Sequence, residues 1–280
     1  MYIKRLNKTF NFPSDHTWIM GILNVTPDSF SDGGAYVATD DMIAQVEKMV
    51  AEGVDIIDVG GESTRPGYVP VTPLEEEINR VVPAVQAIRQ VSDVLISVDT
   101  WKAEVASQAL AAGADIINDQ WAATREPAIA KVCADFDAPL ILMHNREEYQ
   151  AYSDIMKEMK ADLQNAIDIA RAQGMRDDQL IIDPGVGFAK TADDNLLAIQ
   201  GLQELASFNM PILLATSRKG FLGKLVDVPA NERDVATAAT TVSGILSGAD
   251  MVRVHNVKVN KEAAAVADAI KRGQIDPVSI

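Results

Sequence analysis

The feature that most constrains this chain is a repeated alternation of two hydrophobic rhythms. Eight short runs, nearly continuous in apolar and β-branched residues, fall at Trp18–Val25, Asp55–Val59, Val94–Val98, Asp115–Ile117, Pro139–Met143, Leu180–Ile182, Pro211–Ala215 and Asp250–Val254. Each is bounded by Gly, Pro, Asp or Asn, as expected of a parallel strand covered on both faces. Between them lie helix-spaced stretches at Asp40–Glu52, Pro73–Val91, Lys102–Ala112, Pro127–Asp135, Asp154–Gln173, Asp194–Ser207, Arg233–Ser247 and Asn260–Lys271. Several stop at a glycine (Gly53, Gly113, Gly174, Gly248, Gly273), the residue best suited to leave a helix. The 280 residues shared among eight units leave 35 for each, an ordinary strand-plus-helix length.

This pattern predicts the α/β class and a (β/α)₈ barrel, with residues 1–280 as one domain. A doubly wound open sheet is the competitor, but the chain has no G-x-G-x-x-G turn after an early strand. Alternating apolar and polar residues before Trp18 predict a short hairpin capping the bottom of the barrel. Aromatic residues are only 5% of a chain that is 48% hydrophobic, so the core must be mainly aliphatic.

The formal net charge of −15 argues against nucleic acid and anionic membranes as partners. No stretch approaches the ~20 apolar residues of a membrane span, and Met1–Asn7 has no apolar run of leader length. Cys133, the single cysteine, excludes an internal disulfide and reads as a buried small hydrophobe. A cytoplasmic enzyme of small molecules is the expectation.

In a parallel barrel the catalytic groups stand at the carboxyl ends of the strands. Here those ends carry Asn24, Gly60-Gly61-Glu62, Asp99, Asn118-Asp119, Met143-His144-Asn145, Asp183, Ser217-Arg218-Lys219, and Arg253 with His255. Asp40, Asp154 and Asn260 read better as helix N-caps. A whole ring of Asn, Asp, Lys, Arg and His is hard to explain by capping alone. Arg253 and His255 are two apart on a strand and share a face, while Val252 and Val254 turn to the helices. With Asn24 on the neighbouring strand, that pair points to an anion or metal-phosphate site. The Gly/Pro/Ser/Thr-rich stretches after the first two strands read as lids above the mouth.

The runs Gly21-Ile22-Leu23-Asn24-Val25-Thr26-Pro27-Asp28-Ser29-Phe30-Ser31-Asp32-Gly33-Gly34 and Gly60-Gly61-Glu62-Ser63-Thr64-Arg65-Pro66-Gly67 resemble those of dihydropteroate synthases. So do Ser97-Val98-Asp99-Thr100, Ile116-Ile117-Asn118-Asp119, Asp183-Pro184-Gly185-Val186-Gly187-Phe188, Ser217-Arg218-Lys219 and Arg253-Val254-His255, in the family's order. The resemblance implies condensation of 6-hydroxymethyl-7,8-dihydropterin pyrophosphate with p-aminobenzoate, giving dihydropteroate and pyrophosphate for folate synthesis. It also implies assistance by Mg²⁺, competition by sulfonamides, and a homodimer.

It implies roles too. The pterin falls to Asp99, Asn118, Met143, Asp183, Lys219 and Arg253. A carboxylate such as Asp183 suits the paired N–H donors of the pterin edge, and Asn118 its mixed edge. Arg253 is expected to stack its guanidinium on the ring. Asn24, Arg253 and His255 are expected to hold the pyrophosphate, with Asn24 the one protein ligand of Mg²⁺. Thr64, Arg65, Pro66, Phe188 and Ser217 are expected around p-aminobenzoate. Asp99, Lys219, Arg253 and His255 are the catalytic candidates.

Two segments depart from the family's pattern: Gln120-Trp121-Ala122-Ala123, where relatives often carry a Gly- or Ser-rich turn, and Asn145-Arg146-Glu147-Glu148-Tyr149. Two other activities fit part of the ring. A methyltetrahydrofolate:corrinoid methyltransferase would use the pterin pocket but needs no pyrophosphate site. A non-catalytic pterin-binding paralogue would keep the pocket without turnover.

Overall fold

The computed structural model describes residues 2–5, 8–11, 14–25, 34–62 and 71–275. Strands β1 (Tyr2–Arg5) and β2 (Lys8–Asn11) form the expected antiparallel hairpin, Tyr2 opposite Asn11. Eight further strands make one parallel sheet: β3 (Trp18–Asn24), β4 (Ile56–Gly60), β5 (Leu95–Asp99), β6 (Ile116–Asp119), β7 (Leu140–Met143), β8 (Leu180–Asp183), β9 (Leu213–Leu214) and β10 (Met251–Val254). Their order is β8-β7-β6-β5-β4-β3-β10-β9. A parallel bridge between Ile182 and Ile212 brings the two edges together and closes the barrel.

The helices are α1 (Gly34–Ala51), α2 (Leu74–Val91), α3 (Ala103–Ala112), α4 (Ala128–Asp135), α5 (Ile155–Ala172), α6 (Ala192–Gln200), α7 (Gly220–Val226), α8 (Asp234–Leu246) and α9 (Val257–Arg272). Alternation along each strand divides the apolar residues into two cores. Met20, Ile56, Leu95, Ile116, Ile141, Ile181, Leu213 and Met251, one per strand, fill the barrel interior with Trp18. Their strand neighbours Ile57, Ile96, Ile117, Val252 and Val254 face the helices in the outer cluster.

The parallel register stacks the inward residues in levels. Met20, Ile56 and Leu95 stand abreast. One level up are Ile22, Asp58, Ser97 and Ile116, and the next holds Asn24, Gly60, Asp99 and Asn118. The barrel is therefore apolar below and polar at its carboxyl end, and register alone sets the boundary.

Several sequence expectations need correction. Asp40 is not a cap: α1 starts at Gly34 and encloses it. Asn260 likewise lies inside α9, whose cap is Asn256, accepting from the Val259 amide at 3.2 Å. Buried Asn260 instead accepts from the Thr241 hydroxyl at 2.7 Å and so ties α9 to α8. Asp154 does cap its helix, accepting from the Lys157 amide. The helix expected over Asp194–Ser207 breaks at Gly201 into α6 and a 3₁₀ segment, Leu202–Phe208. A Cβ at Gly201 would lie 2.6 Å from Met156, so the close approach to α5 requires glycine there. Helix α7 was not anticipated; it follows Lys219 directly.

If the inner cluster is a filled core, Leu95→Ala is expected to lower unfolding free energy by roughly 2–5 kcal/mol in urea titration. A loss below about 1 kcal/mol would mean that the interior collapses onto the deletion rather than keeping a cavity.

Candidate active site

Arg253 reaches across the barrel from β10. Its Nε donates to Asp58 Oδ2 at 2.6 Å and its Nη2 to Asp99 Oδ2 at 2.9 Å. Asn118 Nδ2 adds a longer bond to Asp58 Oδ2, 3.3 Å. Four strand ends are thereby joined through side chains. Asp58 is wholly buried, and sequence reading missed it. Its parity with Ile56 and Gly60 on β4 was the available signal, because that parity turns it inward.

Burial weakens the Arg253 charge, but Asp58 and Asp99 overcome this and raise its pKa. For Asp99 burial dominates over Arg253 and pushes the carboxyl up to about 7, with Asp58 adding repulsion. Asp99 Oδ1, Asp58 Oδ1 and Ser97 Oγ have no hydrogen-bond partner among the described residues. Asp99 Oδ1 is thus an acceptor open to a donor at the mouth. A Cβ on Gly60 would approach Asn24 Oδ1 at 3.5 Å and Asp99 Cβ at 3.8 Å, so glycine leaves room between those two side chains.

Opposite stands the turn after β8. Asp183 is buried and its Oδ1 accepts from the Gly185 amide at 2.7 Å. Burial raises its pKa against the pull of Lys219. Burial also lowers the Lys219 ammonium to about 8, Asp183 opposing. Lys219 donates to the Val186 carbonyl, and its Nζ lies 4.7 Å from the Phe188 ring centre. A Cβ at Gly187, where φ is +90°, would lie 2.7 Å from Lys219 Cδ, so glycine lets this lysine into the mouth. Met143 is buried beside Asp183 in the β7–β8 register, as an apolar wall requires.

Ser217 and His255 are directly linked: Ser217 Oγ lies 2.8 Å from His255 Nδ1 and accepts from the His255 amide at 3.0 Å. Asn24 is exposed at the end of β3. Thr64, Arg65 and Pro66 lie outside the described residues, as do the expected lids over most of their length. Lys102 joins the two sides of that second stretch, donating to Glu62 and to the Thr72 carbonyl, each at 2.7 Å, and to buried Glu77.

The divergent segments are well defined. Ala122 and Ala123 have φ of +52° and +57°, which costs non-glycine residues energy. Asp119 offsets that cost by accepting from the Trp121 amide at 2.8 Å and the Ala123 amide at 2.6 Å. Asp119 is therefore a turn former rather than part of the ring. In the other segment, Arg146 donates to Asp162 at 2.8 Å and lies over Tyr152.

The Asp99 shift has a consequence for stability. Its folded pKa lies above the ordinary 3.8, so the native state holds a proton that the unfolded chain has lost between about 4 and 7. Stability contributed by the protonated form is present below that window and lost as pH rises through it. Asp99→Asn is expected to remove this slope, which is on the order of a few kcal/mol across the window. Parallel profiles for the two proteins in denaturant titrations at pH 4 to 7 would contradict the assignment.

The pterin-binding enzyme family matches residues 20–255. The chain is 48% identical over 267 residues to the dihydropteroate synthase of Clostridium beijerinckii, covering 95% of this chain and 98% of that one. Two solved structures are similar. One is a dihydropteroate synthase from Clostridium difficile in the presence of pteroic acid: TM-score 0.88, 44% identity, 91% of this chain and 97% of that one. The other, from Xanthomonas albilineans, was solved with 4-aminobenzoic acid: TM-score 0.90, 35% identity, 96% of this chain and 98% of that one. With its strand-end residues gathered in one barrel mouth and its similarity running nearly end to end, the chain belongs to the dihydropteroate synthase family of pterin-binding enzymes.

Proposed function

We propose that this barrel mouth performs the dihydropteroate synthase reaction with Asp183 and Lys219 on one side of the pterin and the Arg253 network on the other. The carrying observation is that a buried carboxylate, a half-buried lysine and a carboxylate-paired arginine converge from three strand ends. Asp183 accepts the parallel N–H donors of the pterin edge. Asn118 serves the mixed edge, Lys219 donates to the ring carbonyl, and Met143 forms an apolar wall. Among the described residues, two of the five Arg253 N–H donors are committed to Asp58 and Asp99, and three remain for substrate.

The bond from the exocyclic methylene to the pyrophosphate oxygen breaks first, and pyrophosphate departs with the electron pair. The pterin spreads the resulting positive charge, and Asp99 across the mouth opposes it. The amine of p-aminobenzoate then attacks the methylene and loses a proton. No side-chain nucleophile is required. Arg253 and His255 hold the departing pyrophosphate. Phe188, with Thr64, Arg65 and Pro66, receives p-aminobenzoate, and Ser217 meets its carboxylate. Sulfonamides compete there.

Among the described residues no group of His, Cys, Asp or Glu forms a metal cage. Asn24 fits a different arrangement: one hard amide oxygen at the mouth suits Mg²⁺, which takes its remaining ligands from phosphate and water. When bound, Mg²⁺ supplies charge neutralisation to the leaving pyrophosphate. We propose a cytoplasmic location, in keeping with the family resemblance; no described helix is long and apolar enough to cross a membrane. A homodimer accounts for exposed Leu196, Leu197, Leu225, Val226 and Val235 on the mutually packed α6, α7 and α8.

The test is incubation with the pterin pyrophosphate, p-aminobenzoate and Mg²⁺. The expected result is equimolar pyrophosphate and dihydropteroate, with kcat/KM reduced about a hundredfold or more by Lys219→Met. Methyl transfer from methyltetrahydrofolate, or pterin binding without turnover, would overturn the reading.

A further inference from the structure

We propose that Lys190 is a positioning residue for the pterin site, pinning the turn between Asp183 and Phe188 so that Asp183 meets the pterin edge at a fixed angle. The proposal rests on the assignment of Asp183 to the pterin.

Within the turn the described residues make a single backbone hydrogen bond, from the Phe188 amide to the Gly185 carbonyl at 3.1 Å. The turn contains two glycines at positive φ, Gly185 at +65° and Gly187 at +90°, followed by Ala189 at +44°. The strand–turn–helix pattern supplies few backbone bonds here, so side chains must satisfy the polar groups. Lys219 takes the Val186 carbonyl, Tyr152 Oη donates to the Ala189 carbonyl at 2.9 Å, and Asn195 accepts from the Gly187 amide at 2.6 Å. Lys190 supplies the rest. Its ammonium donates to the Gly185 carbonyl at 3.1 Å, to the Phe188 carbonyl at 3.2 Å and to His144 Nδ1 at 2.8 Å. Burial lowers the Lys190 pKa to about 7, and in the charged form its three N–H donors are all engaged.

The third bond makes this a clamp rather than a local turn contact. His144 follows β7, a different strand, and is buried. Burial lowers its pKa to about 4, so the ring is neutral at physiological pH. With Nδ1 accepting from Lys190, the ring proton sits on Nε2 and is donated to Asp162 Oδ2 at 3.0 Å. Asp162 is held in turn by Arg146 at 2.8 Å. A chain of polar contacts thus runs from α5 through His144 and Lys190 into the turn. The backbones also meet there, since a Cβ at Gly185 would lie 1.8 Å from the His144 carbonyl oxygen. Asp183 is tied to the same unit through its bond to the Gly185 amide. Moving Gly185 therefore moves the Asp183 carboxylate.

Lys190→Met keeps an unbranched side chain, one heavy atom shorter, and removes its donors. Calorimetric titration with pteroic acid is expected to show affinity weakened about tenfold. KM for the pterin pyrophosphate rises by a similar factor, and kcat stays within about threefold, the signature of lost ground-state positioning. Lys190→Arg, which keeps charged donors, is expected to restore most of that affinity, a rescue that general loss of packing would not give. If the Met variant does not fold, Lys190→Gln retains two donors and loses one; a partial loss of affinity supports the proposal. Wild-type affinity and KM in either Lys190→Met or Lys190→Gln would overturn it. Absence of pteroic acid binding by the wild-type protein would instead remove the pterin assignment, and this proposal with it.

Discussion

Two carboxylates buried at the mouth of a barrel need a cation, and Arg253 is placed to neutralise both. Asp58 and Asp99 come from adjacent strands, and Arg253 from β10 reaches them past β3. Removing either partner would leave an uncompensated buried charge, a loss of roughly 3–5 kcal/mol. The network therefore requires β10, β3, β4 and β5 to keep one register, and that register also levels Asn24, Gly60, Asp99 and Asn118. The geometry of this half of the site is thus a consequence of strand alignment.

The second half of the mouth works by a different device. The turn after β8 brings Asp183, Phe188 and the Lys219 side chain together only because glycine at 185 and 187 allows the backbone to come so close. Burial there raises the Asp183 pKa and lowers that of Lys219, so each group costs energy to keep charged until a partner arrives. A polar ligand relieves both costs at once. The cations of the mouth also act against the chain's net charge of −15, which by itself would repel an anionic substrate.

The strands and most helices were legible because their hydrophobic periods are strong and their boundaries fall at Gly, Pro and Asp. Asp99, Asn118, Asp183, Lys219, Arg253 and His255 were legible because parallel barrels place function at strand ends, and the motifs matched one family. Asp58 was hidden inside an apolar run, where only its inward parity marked it. Asp40 and Asn260 looked like caps because capping and helix-interior roles use the same residue types; backbone and cross-helix contacts decided between them. Lys190, His144 and Asp162 are separated by 18 to 46 positions along the chain. No local pattern could have joined them, because only the fold brings α5, β7 and the β8 turn into contact.

The central claim is that Asp183, poised by the surrounding fold, reads the pterin. Calorimetric binding of 6-hydroxymethylpterin to Asp183→Asn and to Asp119→Asn tests it most directly, since both carboxylates are buried and only one is placed in the pocket. Affinity is expected to fall about a hundredfold in Asp183→Asn, in keeping with the loss of a charge-assisted bidentate pair, and to change little in Asp119→Asn. Equal binding by Asp183→Asn and the wild-type protein would contradict the account.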